Sequence, residues 1–132
     1  MVTAGPQNMQ WLLTCLYGSP RYKEKKELWE SLTLRSQNMQ VPWMIIGNLN
    51  ITINTQENIS NAASSQSSIN KHIKEWLLQT DLVDVKFSGY PYTWNNHRQS
   101  NHLVEEKLDR ALANTKWHDI FQSTTTYSLT AF

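Results

Sequence analysis

The sequence predicts an α/β fold, and three observations carry that prediction. Residues 11–17 and 41–49 are short, nearly continuous apolar runs, the pattern of strands buried in a sheet. Between them, residues 21–37 place apolar and charged side chains at helical spacing. Strand, helix and strand thus follow one another, the order of a layered α/β arrangement.

Taken in order, residues 1–10, with Gly5 and Pro6, read as an irregular lead-in, and residues 11–132 as one domain. The run from Trp11 to Tyr17 ends at Gly18-Ser19-Pro20, where Pro20 suits a helix start and Ser19 its cap. In the helix that follows, Tyr22, Leu28, Trp29 and Leu32 share a face, with the charges opposite. The second run ends at Gly47-Asn48-Leu49-Asn50. Residues 54–68 are polar and low in complexity, which predicts a surface loop. Ile69, Ile73, Trp76 and Leu77 then predict a helix over 68–79. Leu82-Val83-Asp84 reads as a short strand and Gly89-Tyr90-Pro91 as a turn. Tyr92-Thr93-Trp94 and Leu103-Val104 flank polar residues 95–101, which predicts a hairpin. Residues 107–114 and 116–121 each suit one or two helical turns, and residues 124–129 are β-rich.

Composition narrows the function classes. The 132 residues fit one domain, and six Trp, five Tyr and three Phe argue against disorder. The formal net charge of +1 gives no basic surplus of the kind dedicated nucleic-acid binders carry. The one basic cluster, Arg21, Lys23, Lys25 and Lys26, is interleaved with Glu24 and Glu27 and reads first as a solvated helix face, second as a phosphate-contacting patch. The single cysteine, Cys15, lies in an apolar run and reads as a buried, inert thiol. There is no signal-peptide pattern and no apolar run long enough for a transmembrane helix, so an intracellular place, nucleus or cytoplasm, is expected, with no membrane partner. The chain has no HExxH, no CxxC, no Gly-rich phosphate loop and no GxSxG elbow.

What remains is polar residues at strand ends, where layered α/β folds build their sites. Tyr17 closes the first strand, Asn48 and Asn50 close the second, and Asp109 follows the hairpin. Each also has a plain reading: a solvated phenol, two turn formers, and an ion partner for Lys107 or Arg110.

The order of segments adds to this. Leu16-Tyr17-Gly18-Ser19-Pro20, Leu28-Trp29-Glu30-Ser31-Leu32 and Trp43-Met44-Ile45-Ile46-Gly47-Asn48-Leu49-Asn50 come first. Gly89-Tyr90-Pro91-Tyr92-Thr93-Trp94-Asn95-Asn96 and Glu106-Lys107-Leu108-Asp109-Arg110-Ala111-Leu112-Ala113-Asn114 follow, then Trp117 and Phe121. The string resembles the endonuclease/exonuclease/phosphatase (DNase I-like) superfamily, and most of all the endonuclease domain of plant LINE-type (non-LTR) retrotransposons. The resemblance implies part of a four-layer α/β sandwich with incomplete sheets, a phosphodiester-hydrolysing site, Mg²⁺ as cofactor and DNA as partner. By position, Tyr17 matches the tyrosine that helps hold the scissile phosphate. Asn50 matches the asparagine that helps position water and phosphate. Asp109 matches the aspartate that orients the catalytic histidine. Trp94, Asn95 and Arg98 are the candidates for nucleic-acid contact, and no residue is assigned as a metal ligand.

The chain departs from the family pattern in ways that predict a catalytically impaired domain. Asn48 stands where the family has an aspartate, and a neutral amide can neither take a proton from water nor balance a cation. Loss of general-base help costs about 10²–10⁴ in rate. The family's metal-binding glutamate would precede residue 11, and its S-D-H block would follow the Thr/Leu-rich segment at Tyr127-Ser128-Leu129-Thr130. The chain therefore reads as an interior portion of such a domain. Two alternatives stay open. One is an active enzyme whose metal is recruited by Glu57, Asp81, Asp84, Glu105 or Glu106. The other is a non-enzymatic nucleic-acid- or protein-binding module using Tyr90, Tyr92 and Trp94, which otherwise read as core.

Overall fold

The computed structural model describes residues 2–3, 9–53, 58–59, 66–92, 94–98 and 105–127. In chain order the elements are β1 (Val2–Thr3), β2 (Gln10–Tyr17), α1 (Tyr22–Gln37), β3 (Trp43–Asn48), β4 (Asn58–Ile59), α2 (Gln66–Thr80), β5 (Leu82–Asp84), β6 (Lys86–Ser88), β7 (Trp94–Asn95), β8 (Glu105–Glu106), β9 (Asp109–Asn114), α3 (Thr115–Ile120) and β10 (Thr125–Tyr127). The α/β class is as the sequence predicts.

One five-stranded sheet, ordered β1-β2-β3-β9-β5, organises the described residues. At its centre β3 runs parallel to β2 and antiparallel to β9. The pleat sends alternate side chains to opposite faces. On one face Leu12, Leu16, Trp43, Ile45 and Leu112 join Leu32 of α1 and Ile73 and Leu77 of α2 in the main core. Trp29 and Trp76 stack between the two helices with centroids 5.6 Å apart. On the other face Met44, Ala111 and Ala113 meet Trp117 of α3 and Val85. A two-stranded parallel sheet (β6 with β10) and a three-stranded antiparallel sheet (β4-β8-β7) complete the described strands.

The structure corrects several local expectations. Residues 107–114 are not helical turns: residues 109–114 form β9, with Ala111, Leu112 and Ala113 almost wholly buried. The Ala-Leu-Ala run has helical propensity, but pairing with β3 on one side and β5 on the other overrides it. The hairpin exists but is shifted. Trp94–Asn95 pairs with Glu105–Glu106, while Thr93, Leu103 and Val104 lie outside the described residues. Val2 and Thr3, inside the expected lead-in, pair with Trp11 and Gln10. Part of the expected 54–68 loop is β4 and the first turn of α2. The N-cap of α1 is Arg21, with Ser19 Oγ accepting from the Arg21 N–H instead. Tyr22 is 80% exposed and does not join the core with Leu28, Trp29 and Leu32. Cys15 is exposed, because it lies on the opposite face of β2 from Leu12 and Leu16. The 116–121 helix and the β-rich stretch after 124 are present as α3 and β10.

Two features fix where β3 sits. Asn114 is buried at the far end of β9, and its Oδ1 accepts from the backbone N–H groups of Trp43 and Trp117, each at 3.0 Å. Its Nδ2 donates to the carbonyl of Val41 at 3.0 Å. One amide therefore caps α3, anchors the entry to β3 and binds the preceding segment. At the other end Gly47 has φ +139°, and a Cβ there would collide with the Leu16 carbonyl oxygen. Only glycine lets β2 and β3 close at that position.

Replacing Asn114 with Ala orphans two buried backbone N–H groups and a part-buried carbonyl. Each costs about 1–3 kcal/mol, with partial relief by water. The expected loss of unfolding free energy is about 3 kcal/mol, read from urea denaturation. A loss below about 0.5 kcal/mol would contradict the anchoring role.

Candidate active site

Strand register brings three of the sequence-predicted site residues into a row. Tyr17 is the partner of Asn48 across β2 and β3, and Asn48 is the partner of Asp109 across β3 and β9. Directly opposed residues share a face of the sheet. Tyr17, Asn48 and Asp109 therefore stand side by side at one end of the central sheet, on the face away from α1 and α2. Tyr17 is 76% exposed, Asp109 is exposed, and Asn48 is half-buried. The next residues inward on the same face are Cys15, Ile46 and Ala111.

The fourth residue, Asn50, sits just past the end of β3 with φ 51°, a left-handed conformation that asparagine tolerates. Its backbone N–H donates to Asn48 Oδ1 at 3.0 Å, and its Nδ2 donates to the Gly18 carbonyl. Its own carbonyl accepts from Lys25 Nζ at 2.8 Å. The turn also joins the sheet on both sides, through Gly18 N–H to the Asn48 carbonyl (2.7 Å) and Leu49 N–H to the Leu108 carbonyl (3.0 Å). Asn48 is thus a turn former as well as a member of the row. Its amide oxygen is committed to Asn50.

Lys25 is not a solvated member of the basic cluster at residues 21–26. It is half-buried, and burial pushes its ammonium below the usual lysine range, against the pull of Glu106. The signal was its spacing: Lys25, Leu28, Trp29 and Leu32 fall on one helical stripe. A cleft of about 1120 Å³ opens between α1 and α2, with Lys25, Asn50, Trp29, Trp76 and Glu106 in its walls. Arg110, beside Asp109, is buried and faces the other way, as alternation requires. Its guanidinium donates to the carbonyls of Ile51 (3.3 Å) and Lys107 (3.0 Å) and lies 3.4 Å from Asp84.

The remaining acids are dispersed. Asp84 lies 3.9 Å from Lys107, whose ammonium stands over the Phe87 ring. Asp81 accepts from Thr115 Oγ1 at 2.9 Å. Glu105 accepts from the Tyr90 hydroxyl at 2.9 Å, a bond that raises the phenol above the usual tyrosine range. Glu57 lies outside the described residues. Among the described residues no three His, Cys, Asp or Glu side chains converge on a point that could hold a metal ion. Mg²⁺ dehydrates reluctantly and needs carboxylates together with phosphate oxygens and water. One exposed carboxylate, Asp109, beside two amides does not fit a resident Mg²⁺.

Trp94, Asn95 and Arg98 are not in the row. They occupy the β7 strand and the segment after it, which belong to a different sheet. Asn95 Oδ1 accepts from the His97 N–H at 2.8 Å, a turn-forming bond, and Arg98 is exposed. Trp94 and Tyr90 are 44% and 61% exposed, which corrects the core reading of these two aromatics. Tyr92 is half-buried, with its ring 5.5 Å from that of Tyr90. From β8 the chain passes through Lys107 and Leu108 straight into Asp109, so the hairpin leaves the central sheet at the end that carries the row. Among the described residues no helix is long and apolar enough to cross a membrane.

Among solved structures the chain is similar to a beta hairpin deletion mutant of beta toxin from Staphylococcus aureus, with a TM-score of 0.55 and 15% identity. The alignment covers 91% of this chain and 44% of that one, so the chain spans less than half the length of the structure it matches. The likeness establishes the fold, an α/β fold of DNase I-like type. No protein-family model and no curated protein matches the sequence.

The donor count yields a direct test. The wild-type protein is expected to melt at the same temperature in Mg²⁺ and in EDTA. Asn48→Asp, which places a second carboxylate beside Asp109, is expected to melt higher in Mg²⁺, because a ligand bound only by the folded state raises its melting point. A Mg²⁺-dependent rise in the wild type would contradict this account of the site.

Proposed function

We propose that this chain is a DNase I-like phosphodiesterase domain by descent, of the endonuclease type found in plant LINE-type retrotransposons, with DNA as its partner and with catalysis impaired by Asn48. The observation that supports it is the row formed by Tyr17, Asn48 and Asp109, with Asn50 at its edge. Phosphodiester hydrolysis needs a base for the attacking water and positive charge against the phosphate oxygens. Tyr17 offers a hydroxyl to a phosphate oxygen, and Asp109 offers a carboxylate able to orient a base or hold a proton. Between them the position that calls for a base carries an amide. Asn48 Oδ1 already accepts the Asn50 N–H at 3.0 Å, and an amide oxygen does not take a proton near neutral pH. Mg²⁺ is the cofactor this type of domain implies, but one carboxylate beside two amides does not hold it in the Asn48 protein.

A second reading, a non-enzymatic binding module, is favoured by the exposed Tyr90 and Trp94 rings. Aromatic faces of this kind stack on unpaired bases.

Nicking of supercoiled plasmid tests the claim of impairment. Wild-type protein, Asn48→Asp and Asp109→Ala are incubated with Mg²⁺ and with EDTA. The wild type is expected to leave the plasmid supercoiled in both. Mg²⁺-dependent nicking by the wild type that disappears in Asp109→Ala would overturn the claim of impairment.

A further inference from the structure

We propose that Lys25 is a positioning residue of this site: its grip on the Asn50 carbonyl holds the turn after β3 in the form that keeps the Asn48 side chain in the row. The inference rests on the phosphodiesterase reading above and names what aims the central residue of that site. Asn50 stands at φ 51°, a conformation that an L-residue leaves readily unless bonds hold it. Its N–H donates to Asn48 Oδ1 at 3.0 Å, its Nδ2 donates to the Gly18 carbonyl, and its carbonyl accepts from Lys25 Nζ at 2.8 Å. The first two are neutral bonds made among the strand ends. The third is charge-assisted, the stronger kind, and is brought in from α1.

The path from Lys25 to the row is short. The N–H and the carbonyl of one residue are coupled through its φ and ψ, so fixing the Asn50 carbonyl restrains its N–H. That N–H in turn holds Asn48 Oδ1, and with it the rotamer of the side chain that stands between Tyr17 and Asp109. Gly18 and Lys25 bound one short run, from the end of β2 to the first turn of α1. This run accepts from Asn50 at Gly18 and donates to it at Lys25, so it clasps Asn50 at both ends. Tyr17 immediately precedes the run, which ties the phenol and the amide of the row to one segment. Lys25 is itself held. Its side chain is half-buried on the stripe with Leu28, Trp29 and Leu32, and the attraction of Glu106 offsets part of that burial. A freely solvated lysine would lose its rotamer freedom in making such a bond, whereas a half-buried one has already lost part of it.

The test compares wild-type protein with Lys25→Met, Lys25→Arg and Lys23→Met by NMR. Methionine keeps an unbranched stem but has no N–H donor. Lys23, exposed on the same helix, controls for net charge. The expected result in Lys25→Met is loss of the left-handed carbon shifts of Asn50 together with a shift of the Asn48 side-chain amide signals. Lys25→Arg, which restores a donor, and Lys23→Met keep both. Unchanged Asn48 and Asn50 signals in Lys25→Met, or equal changes in Lys23→Met, would overturn the proposal. If Lys25→Met does not fold, the wild-type protein decides. A Lys25 ammonium slowed in hydrogen exchange and coupled to the Asn50 carbonyl carbon is expected, and one in fast exchange would overturn the proposal. A second readout separates positioning from charge. In the Asn48→Asp protein, removing a nearby cation would by charge alone strengthen Mg²⁺ binding and enlarge the Mg²⁺-dependent rise in melting temperature. Loss of the carboxylate's aim does the opposite, so adding Lys25→Met is expected to remove most of that rise, and an equal or larger rise would overturn the proposal. No rise in Asn48→Asp itself would count against the functional reading, and the NMR signals would still decide the role of Lys25.

Discussion

Strand β3 is held between β2 and β9, and the register of those two pairings is the constraint on which the candidate site depends. It is fixed from both ends. Asn114 anchors the start of β3 through three hydrogen bonds, two of them buried. At the other end Gly47 permits the close approach of β2, and the Asn48 carbonyl and Leu49 N–H extend the pairing to Gly18 and Leu108. Because the side-chain period of a strand is two, a slip of one residue in either pairing would turn one member of the Tyr17–Asn48–Asp109 row to the opposite face. The row is therefore a consequence of packing: Trp43 and Ile45 bury on the helical side, and Asn48 must then stand on the other.

That placement gives Asn48 two roles that pull apart. As a turn former it is well suited, since its amide oxygen accepts the Asn50 N–H and supports a left-handed residue. In the place where hydrolytic chemistry calls for a carboxylate it is neutral. An aspartate could accept the same N–H, so the fold does not require the amide. The other charged groups near the row are drawn into structure. Arg110 and Lys107 secure Asp84 and the loop carbonyls, and Lys25 secures Asn50.

How much of this was legible in the sequence follows from how local each signal is. The strands that end at Tyr17 and Asn48 could be read from their apolar runs, and so the positions of those residues could be too. Asp109 could be placed only by resemblance, because its own strand carries a helix-favouring Ala-Leu-Ala run and is made a strand by partners distant in sequence. Lys25 was masked by the neighbouring charges of residues 21–27, although its spacing to Leu28 and Leu32 marked it as half-buried. Cys15 is exposed although its run is apolar, because β2 carries its second face outward. Asn114 has no local signature at all: its three bonds reach segments more than seventy residues away as well as the next helix.

The claim that the rest depends on is the shared register of Tyr17, Asn48 and Asp109, and isotope-edited NMR tests it most directly. Cross-strand backbone NOEs linking Tyr17 to Asn48, and Asn48 to Asp109, are the predicted result. NOEs that pair Asn48 with Arg110 or with Leu108, or that place Tyr17 opposite Gly47, would show a slipped sheet. In that case the three side chains would not share a face, and the candidate site would not exist.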